Sequence, residues 1–460
     1  MYRREFLKAT LAGGAALALL PEVYAQSEKP KELPNIVLIM ADDVGYECFS
    51  CYGSREYKTP KIDALGAKGI RFTNCHSTPL CTPSRVNLMS GKSNVFNYRD
   101  FGIYLKGEPT FANYFKANGY VTAVAGKWQL KLSNGDGISP QEAGFDTFCL
   151  WNYPGTSRAR YWNPSLMQDD KLLELPRGNF GPTVVTDFLI KFIKDNKDKP
   201  FLAYYPMILP HNPFVTTPDS ANRSGKDAKK NFVDMVQYMD KCVGRIEDAL
   251  TELGIRDKTL IIFTGDNGTN CEITSELDGR QIRGEKGRTM DHGTHVPLVA
   301  SLPGRIPPGQ VNEDLICFSD FFATMVEAAG LPPKEIKDGD GWSFWPQCLG
   351  KPGKKRDWIY GYYFPRPYSK KSNDRYTHYE IRYVRDKRHK LYSDGRFYDT
   401  VADVLEAKPL NVTDGLTAVR DKLQAAMDRY PSKGQAIDYD RVKGSLASKD
   451  QKRRFQGQTP

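Results

Sequence analysis

The sequence predicts an α/β fold: a large mixed, mostly parallel sheet flanked by helices, joined to a smaller C-terminal antiparallel-sheet domain. Three observations carry this. Strand-like apolar runs alternate with amphipathic helical ones from about residue 34 to residue 345, the order that builds a parallel sheet covered on both faces. Several runs are apolar without a break, as in Asn35-Ile36-Val37-Leu38-Ile39-Met40, which suits strands buried on both faces. After about Trp345 the alternation stops, and Gly350 to Lys390 is crowded with Lys, Arg and Tyr.

In chain order, Asn35 to Met40 is the first strand. Thr59-Pro60 opens a helix to Lys68, with Pro in the first turn, where its missing N–H costs nothing. Gly69 stops that helix and Ile70 to Asn74 follows as a strand. Thr110 to Asn118 reads as a helix ended by Gly119, and Tyr120 to Ala125 as a strand. A helix over Val184 to Lys194 precedes a strand over Phe201 to Tyr205. Helical periodicity runs from Asp227 to Leu253, ahead of a buried strand at Thr259 to Thr264. Val296 to Leu302 and Asp314 to Phe318 read as strands, Asp320 to Ala329 as a helix, and Val419 to Tyr430 as a helix of the small domain. The expected division is a catalytic domain over 34–345, a small α+β domain over 346–432 and a polar, basic tail over 433–460.

The 460 residues carry a net charge of +10 with 40% hydrophobic and 26% charged residues. A basic chain attracts anions, but the sign does not choose among nucleic acid, membrane and sulfated or phosphorylated polymers. Residues 1–25 read as a signal peptide of the twin-arginine type. Arg3-Arg4 precedes Phe6-Leu7-Lys8, a short apolar stretch runs from Leu11 to Leu20, and Val23-Tyr24-Ala25 offers small residues for cleavage. That stretch is too short to span a bilayer. The mature chain is therefore expected to be periplasmic or secreted, with the twin-arginine export machinery as a partner, no stable membrane association and no nucleic-acid partner. Of nine cysteines, Cys48 and Cys51 form a CxxC without a matching second pair, so buried free thiols are expected rather than a zinc site.

In parallel sheets, ligands bind beyond the carboxyl ends of the strands, and polar clusters fall at those ends. Asp42-Asp43 closes the first strand, Lys127 follows another, His211 another, and Asp266-Asn267 another. Asp42, Asp43, Asp266 and Asn267 offer only oxygen ligands, three of them anionic, a set suited to Ca²⁺ or Mg²⁺ rather than zinc. Cys81-Thr82-Pro83-Ser84-Arg85 opens a helix after the second strand. A helix start favours an anion, and Arg85 one turn in adds a fixed positive charge.

Cys81-Thr82-Pro83-Ser84-Arg85 resembles the Cys-x-Pro-Ser-Arg signature of the type I, formylglycine-dependent sulfatases. Further motifs in family order strengthen the resemblance: Asn35 to Gly45, Gly126-Lys127-Trp128, Pro210-His211-Asn212-Pro213, Thr264-Gly265-Asp266-Asn267-Gly268, and Gly284-Glu285-Lys286-Gly287. The resemblance implies an alkaline phosphatase-like fold and hydrolysis of sulfate esters. It implies one Ca²⁺ held by Asp42, Asp43, Asp266, Asn267 and the modified residue 81, and formylglycine made from Cys81 by a maturase. A hydroxyl of the hydrated aldehyde would attack sulfur, activated by the ion and by Asp43 or Asp266. Arg85, Lys127 and Lys286 would offset the sulfuryl charge, His211 or Lys286 would protonate the leaving alcohol, and the second hydroxyl would expel sulfate.

The sequence departs from the family pattern at Gln129, where a second His is usual; glutamine cannot take up a proton. Asp291-His292-Gly293-Thr294-His295 also departs, and either histidine is a candidate to replace the lost imidazole. His76 lies in no motif and reads as structural. The competing functions are a phosphonate or phosphate ester hydrolase of the same superfamily and a non-catalytic protein that binds sulfated glycans. The C-terminal cations Lys351, Lys354, Lys355, Arg356, Lys370, Lys371, Arg375, Arg382, Arg385, Lys387, Arg388 and Lys390 are interleaved with tyrosines 362, 363, 368, 376, 379 and 383. They suggest a surface for a sulfated polysaccharide or its oligosaccharides.

Overall fold

The computed structural model describes residues 33–365 and 380–432. The predicted signal peptide over 1–25, the tail over 433–460, and Lys370, Lys371, Arg375, Tyr368, Tyr376 and Tyr379 lie outside the described residues.

Among the described residues up to Cys317, twelve strands form: β1 (Asn35–Ala41), β2 (Ile70–His76), β3 (Val121–Lys127), β4 (Thr147–Trp151), β5 (Met167–Gln168), β6 (Lys171–Leu172), β7 (Phe201–Pro206), β8 (Thr259–Gly265), β9 (Thr274–Leu277), β10 (Arg280–Arg283), β11 (His295–Ser301) and β12 (Gln310–Cys317). Ten make one sheet in the order β12-β2-β11-β8-β1-β7-β3-β4-β5-β6, while β9 and β10 pair as a separate hairpin. The centre, β8-β1-β7-β3-β4, is parallel throughout. β11 runs antiparallel to both β8 and β2, so the sheet is mixed. Every residue of β1 and β8 is buried, as their unbroken apolar sequences demand. Each fully buried Ile, Leu or Phe there contributes about 1.5–3 kcal/mol relative to an exposed one.

Helices cover both faces. Thr110 caps helix Phe111–Ala117 with a capping box completed by Asn113. Asp227 caps the long helix Ala228–Glu252, whose apolar stripe packs on the sheet. Helix Cys81–Ser90 has all ten residues buried, and Gly91 ends it in the left-handed region at φ 66°.

A second sheet of β13 (Ile359–Tyr363), β14 (Ile381–Arg385), β15 (His389–Tyr392) and β16 (Phe397–Asp399) is antiparallel in that order. Helix Asp414–Met427 packs on it through Leu423 and Met427, against Val384, Leu391 and Phe397. This helix begins and ends a few residues before its predicted bounds, because Thr413 rather than an apolar residue marks its start. The four-residue stretch Thr274 to Leu277, the short strands β5 and β6, and β4 carry too few alternations to read from sequence.

The C-terminal cations divide into two groups. Arg356, Arg385 and Lys390 are buried and each is ion-paired. Arg356 grips Asp320 through two nitrogens, Arg385 Nη1 lies 2.6 Å from Asp291 Oδ1, and Lys390 Nζ lies 2.8 Å from Glu406 Oε1. Tyr362, Tyr363 and Tyr383 are buried too. Lys351, Lys354, Lys355, Lys387 and Arg388 are exposed and Arg382 is half-buried, so among the described residues the expected surface keeps most of its cations, while Arg356, Arg385, Lys390 and the three tyrosines belong to the interior. All nine cysteines are free thiols, seven of them buried.

Candidate active site

The carboxyl ends of β1, β3, β7 and β8 and the start of helix Cys81–Ser90 converge. Asp42 and Asp43 follow β1, both fully buried. Asp266 and Asn267 follow β8, and the Asp43 backbone N–H donates to Asp266 Oδ1 at 3.0 Å. Lys127 ends β3, where its ammonium donates to both oxygens of Asp42 at 2.8 and 2.9 Å. Arg85 Nη2 donates to Asp266 Oδ2 at 3.3 Å and Nη1 to the Lys127 carbonyl at 2.9 Å. Lys286 is ion-paired to Asp43, and its Nζ is 3.1 Å from His211 Nε2. Ligand atoms of Asp42, Cys81 and Asp266 lie within 4.8 Å of one another, and so do those of Asp42, Asp43 and His211. All nine residues expected from sequence therefore meet in one cluster.

Local sequence explains how each side chain arrives. Gly126, at φ 124°, sits where a Cβ would overlap the Pro206 carbonyl, so only glycine lets β3 and β7 close on each other before Lys127. A Cβ at Gly268 would overlap the His292 carbonyl, which packs the late loop against Asn267. Ser84 donates to the Thr78 carbonyl at 3.0 Å, tying the first turn of the Cys81 helix to the loop before it. His211 lies between two cis X–Pro bonds. The Tyr161 hydroxyl donates to the carbonyls of Ile208 and His211 and anchors that loop. Tyr161 was not foreseen, since no motif surrounds it.

The electrostatics follow from three fully buried carboxylates. Burial opposes charge on Asp42 and Asp43, yet Lys127, His211, Arg85 and Lys286 overcome it and hold both below the usual carboxylate range. Burial and the charge of Asp42 push Asp266 well above that range. Burial takes His211 down to about 4, and it raises the Cys81 thiol against the pull of Lys127 and Lys286. Lys286 is raised: burial lowers it, but Asp43 outweighs that. A site of this kind favours a cation among the carboxylates and an anion against the ammonium groups.

The donor set fits a hard divalent ion. Asp42, Asp43 and Asp266 supply carboxylate oxygens, and Asn267 Oδ1 is buried without a hydrogen-bond partner, an orphan that ordinarily calls for an explanation. Its amide donates instead to Asp43 Oδ1 at 3.0 Å.

Gln129, in the left-handed region at φ 55°, accepts from the Thr82 hydroxyl at 3.3 Å. His295 is engaged elsewhere, with Asp291 Oδ2 at 3.1 Å and the Thr73 carbonyl at 2.8 Å, stacked on Tyr46. His292 is buried with Nδ1 unpartnered. His76 packs beside His295 and Arg385, and its ligand atoms lie within 4.8 Å of those of Asp291 and His295.

The sulfatase family model matches residues 34–331, and a model described as N-sulphoglucosamine sulphohydrolase, C-terminal, matches residues 285–433. Human arylsulfatase A is 31% identical over 361 residues, spanning 72% of this chain and 70% of its own. Mouse steryl-sulfatase is 28% identical, spanning 73% and 68%. Among solved structures, Ps i-CgsB in complex with k-i-k-neocarrahexaose shares the fold at TM-score 0.73 and 22% identity, covering 92% of this chain and 100% of its own. The phosphonate monoester hydrolase of Agrobacterium radiobacter shares it at TM-score 0.65 and 20% identity, covering 86% and 96%. With its family match spanning the whole convergent site, this chain belongs to the formylglycine-dependent sulfatase family of the alkaline phosphatase superfamily and is a sulfuric ester hydrolase.

Proposed function

We propose that this protein hydrolyses sulfate esters of a sulfated polysaccharide or its oligosaccharides, through formylglycine made from Cys81 and with one bound Ca²⁺. The observation that carries the reading is the place of Cys81: a thiol at a helix start, 2% exposed, beside Asp42 and Asp266 and within the field of Lys127 and Lys286. Asp42, Asp43, Asp266 and Asn267 would hold the ion with residue 81. When present, ion and aldehyde hydrate supply a Lewis acid and an oxygen nucleophile.

The remaining work falls to the chain's own side chains. Arg85 and Lys127 flank the sulfuryl oxygens with fixed positive charge in a water-poor pocket, where such charge is worth most. Arg85 is locked by Asp266 and the Lys127 carbonyl, so it needs no reorganisation. Lys286 and His211 touch each other at 3.1 Å; the Lys286 ammonium, raised by Asp43, is the group that carries a proton for the leaving oxygen, and the neutral His211 accepts from it through Nε2 and orients it. Gln129 holds Thr82, next to residue 81, by a hydrogen bond and takes no proton in the reaction.

The carbohydrate assignment draws on relatives. One solved structure of this fold is in complex with its substrate D-glucosamine-2-N,6-O-disulfate, and dog N-acetylgalactosamine-6-sulfatase is 29% identical. Export by the twin-arginine route to the periplasm or beyond, with a maturase acting on Cys81, completes the proposal, resting on Arg3-Arg4 and the Cys-x-Pro-Ser-Arg match. Purified protein co-expressed with a maturase should release sulfate from sulfated oligosaccharides. It should turn over a phosphonate monoester more slowly than a sulfate ester; the reverse ranking would give the chain to the phosphonate hydrolase reading.

A further inference from the structure

We infer that Arg160 is a specificity residue that binds a second anionic group of the substrate, a sulfate or carboxylate on the same sugar or its neighbour. The inference rests on the sulfatase reading above and deepens it.

Arg160 lies in the connection from β4 (Thr147–Trp151) to β5 (Met167–Gln168), which leaves the carboxyl end of β4. Its guanidinium lies over the ring of Trp151, 4.3 Å from the centroid. Trp151 is the last residue of β4 and pairs in register with Lys127. Arg160 Nη1 is 3.2 Å from His211 Nδ1, on the ring edge opposite the Nε2 that faces Lys286 and Asp43. The guanidinium thus sits one imidazole away from Lys286 and Asp43.

Three features mark it as a ligand-binding cation. No carboxylate among the described residues pairs with it, unlike the buried Arg356 and Arg385. Its Nε is buried without a hydrogen-bond partner, a cost ordinarily retained only for a reason. The His211 contact does not satisfy it, because His211 Nδ1 is also 2.6 Å from the Asn212 carbonyl. When Nδ1 donates to that carbonyl it has no lone pair left for Arg160.

The position is also stiff. The Trp151 ring fixes the guanidinium plane, and the neighbouring Tyr161 hydroxyl binds the Ile208 and His211 carbonyls, so Arg160 and His211 share one support. A planar fork held in this way suits bidentate contact with a sulfate or carboxylate.

The test uses the full mature chain carrying Cys81→Ser, with CaCl2 present, and calorimetric binding of three disaccharides. One bears a single sulfate, one two sulfates, and one a sulfate and a uronate carboxylate. The parent should prefer at least one dianion over the monosulfate by about tenfold or more, as a charge-assisted hydrogen-bonded pair does. Arg160→Gln should abolish that preference, and Arg160→Lys should restore part of it. Which dianion is preferred identifies the group. An equal affinity for all three disaccharides in the parent, or a preference that survives Arg160→Gln, overturns the assignment, including the case in which Arg160→Gln weakens all three alike by displacing His211. Failure of the sulfatase reading shows separately, as absence of turnover by the Cys81 protein.

Discussion

Replacing Lys127 by Met removes the ammonium that holds Asp42 while keeping the length and apolar stem of the side chain. Lys127 is 1% exposed and Asp42 fully buried, with both carboxylate oxygens within 2.9 Å of the ammonium. The nearest remaining cation, Arg85 Nη2, stands at 3.9 Å from Asp42 and is committed to Asp266. Removing one partner of a buried ion pair costs about 3–5 kcal/mol, because the other charge is left uncompensated. Arg85 softens the loss, which places Lys127→Met at the lower end, about 3 kcal/mol. Urea unfolding followed by circular dichroism in excess chelator reads this directly: at a slope of about 3 kcal/mol/M the midpoint falls by about 1 M. Adding Asp42→Asn to Lys127→Met should recover much of the loss, since no buried charge is then orphaned. A single variant within about 0.5 kcal/mol of the parent, or a double variant as unstable as the sum of the two single ones, would refute the claim that this pair is desolvated and coupled.

Cys81→Ala should leave the circular dichroism spectrum unchanged and abolish sulfate release; retention of most activity would exclude a role for this residue. Chelator should inactivate the enzyme and lower its melting temperature, with Ca²⁺ restoring both better than Zn²⁺, as an oxygen-only donor set requires; elemental analysis of active protein without a divalent ion would contradict this. Arg356→Met should destabilise by about 3–5 kcal/mol in thermal or urea unfolding, because Asp320 loses its buried partner; a change under about 1 kcal/mol would show that the fold does not depend on that pair. Gly126→Ala should give insoluble or strongly destabilised protein, since a Cβ there meets the Pro206 carbonyl; a soluble variant of parental stability would show that β3 and β7 can separate there.

Much of this was legible in the sequence because buried parallel strands announce themselves by unbroken apolar runs. β1, β7 and β8 were read within a residue or two, and the polar residues that end them gave the site. The antiparallel course of β11 was not legible, since a strand buried on both faces reads the same in either direction. The split among the C-terminal cations was not legible for a related reason. Composition cannot separate Arg356 and Arg385, which pair with the buried carboxylates of Asp320 and Asp291, from Lys351 and Lys387, which face solvent. Arg160 and Tyr161 carried no signal at all, because their importance comes from meeting His211 across about 50 residues of chain. What did not follow from any motif was how position 129 is used. The structure gives Gln129 a left-handed backbone and a contact with Thr82, which makes it a support for the residue 81 turn.

The most direct test is a mass measurement on the peptide bearing position 81, taken from protein co-expressed with a maturase and assayed for sulfate release on the same sample. An aldehyde at residue 81, trapped by a hydrazine, should be present in a fraction that tracks specific activity from one preparation to the next. A free thiol at Cys81 in protein that releases sulfate at full rate would contradict it.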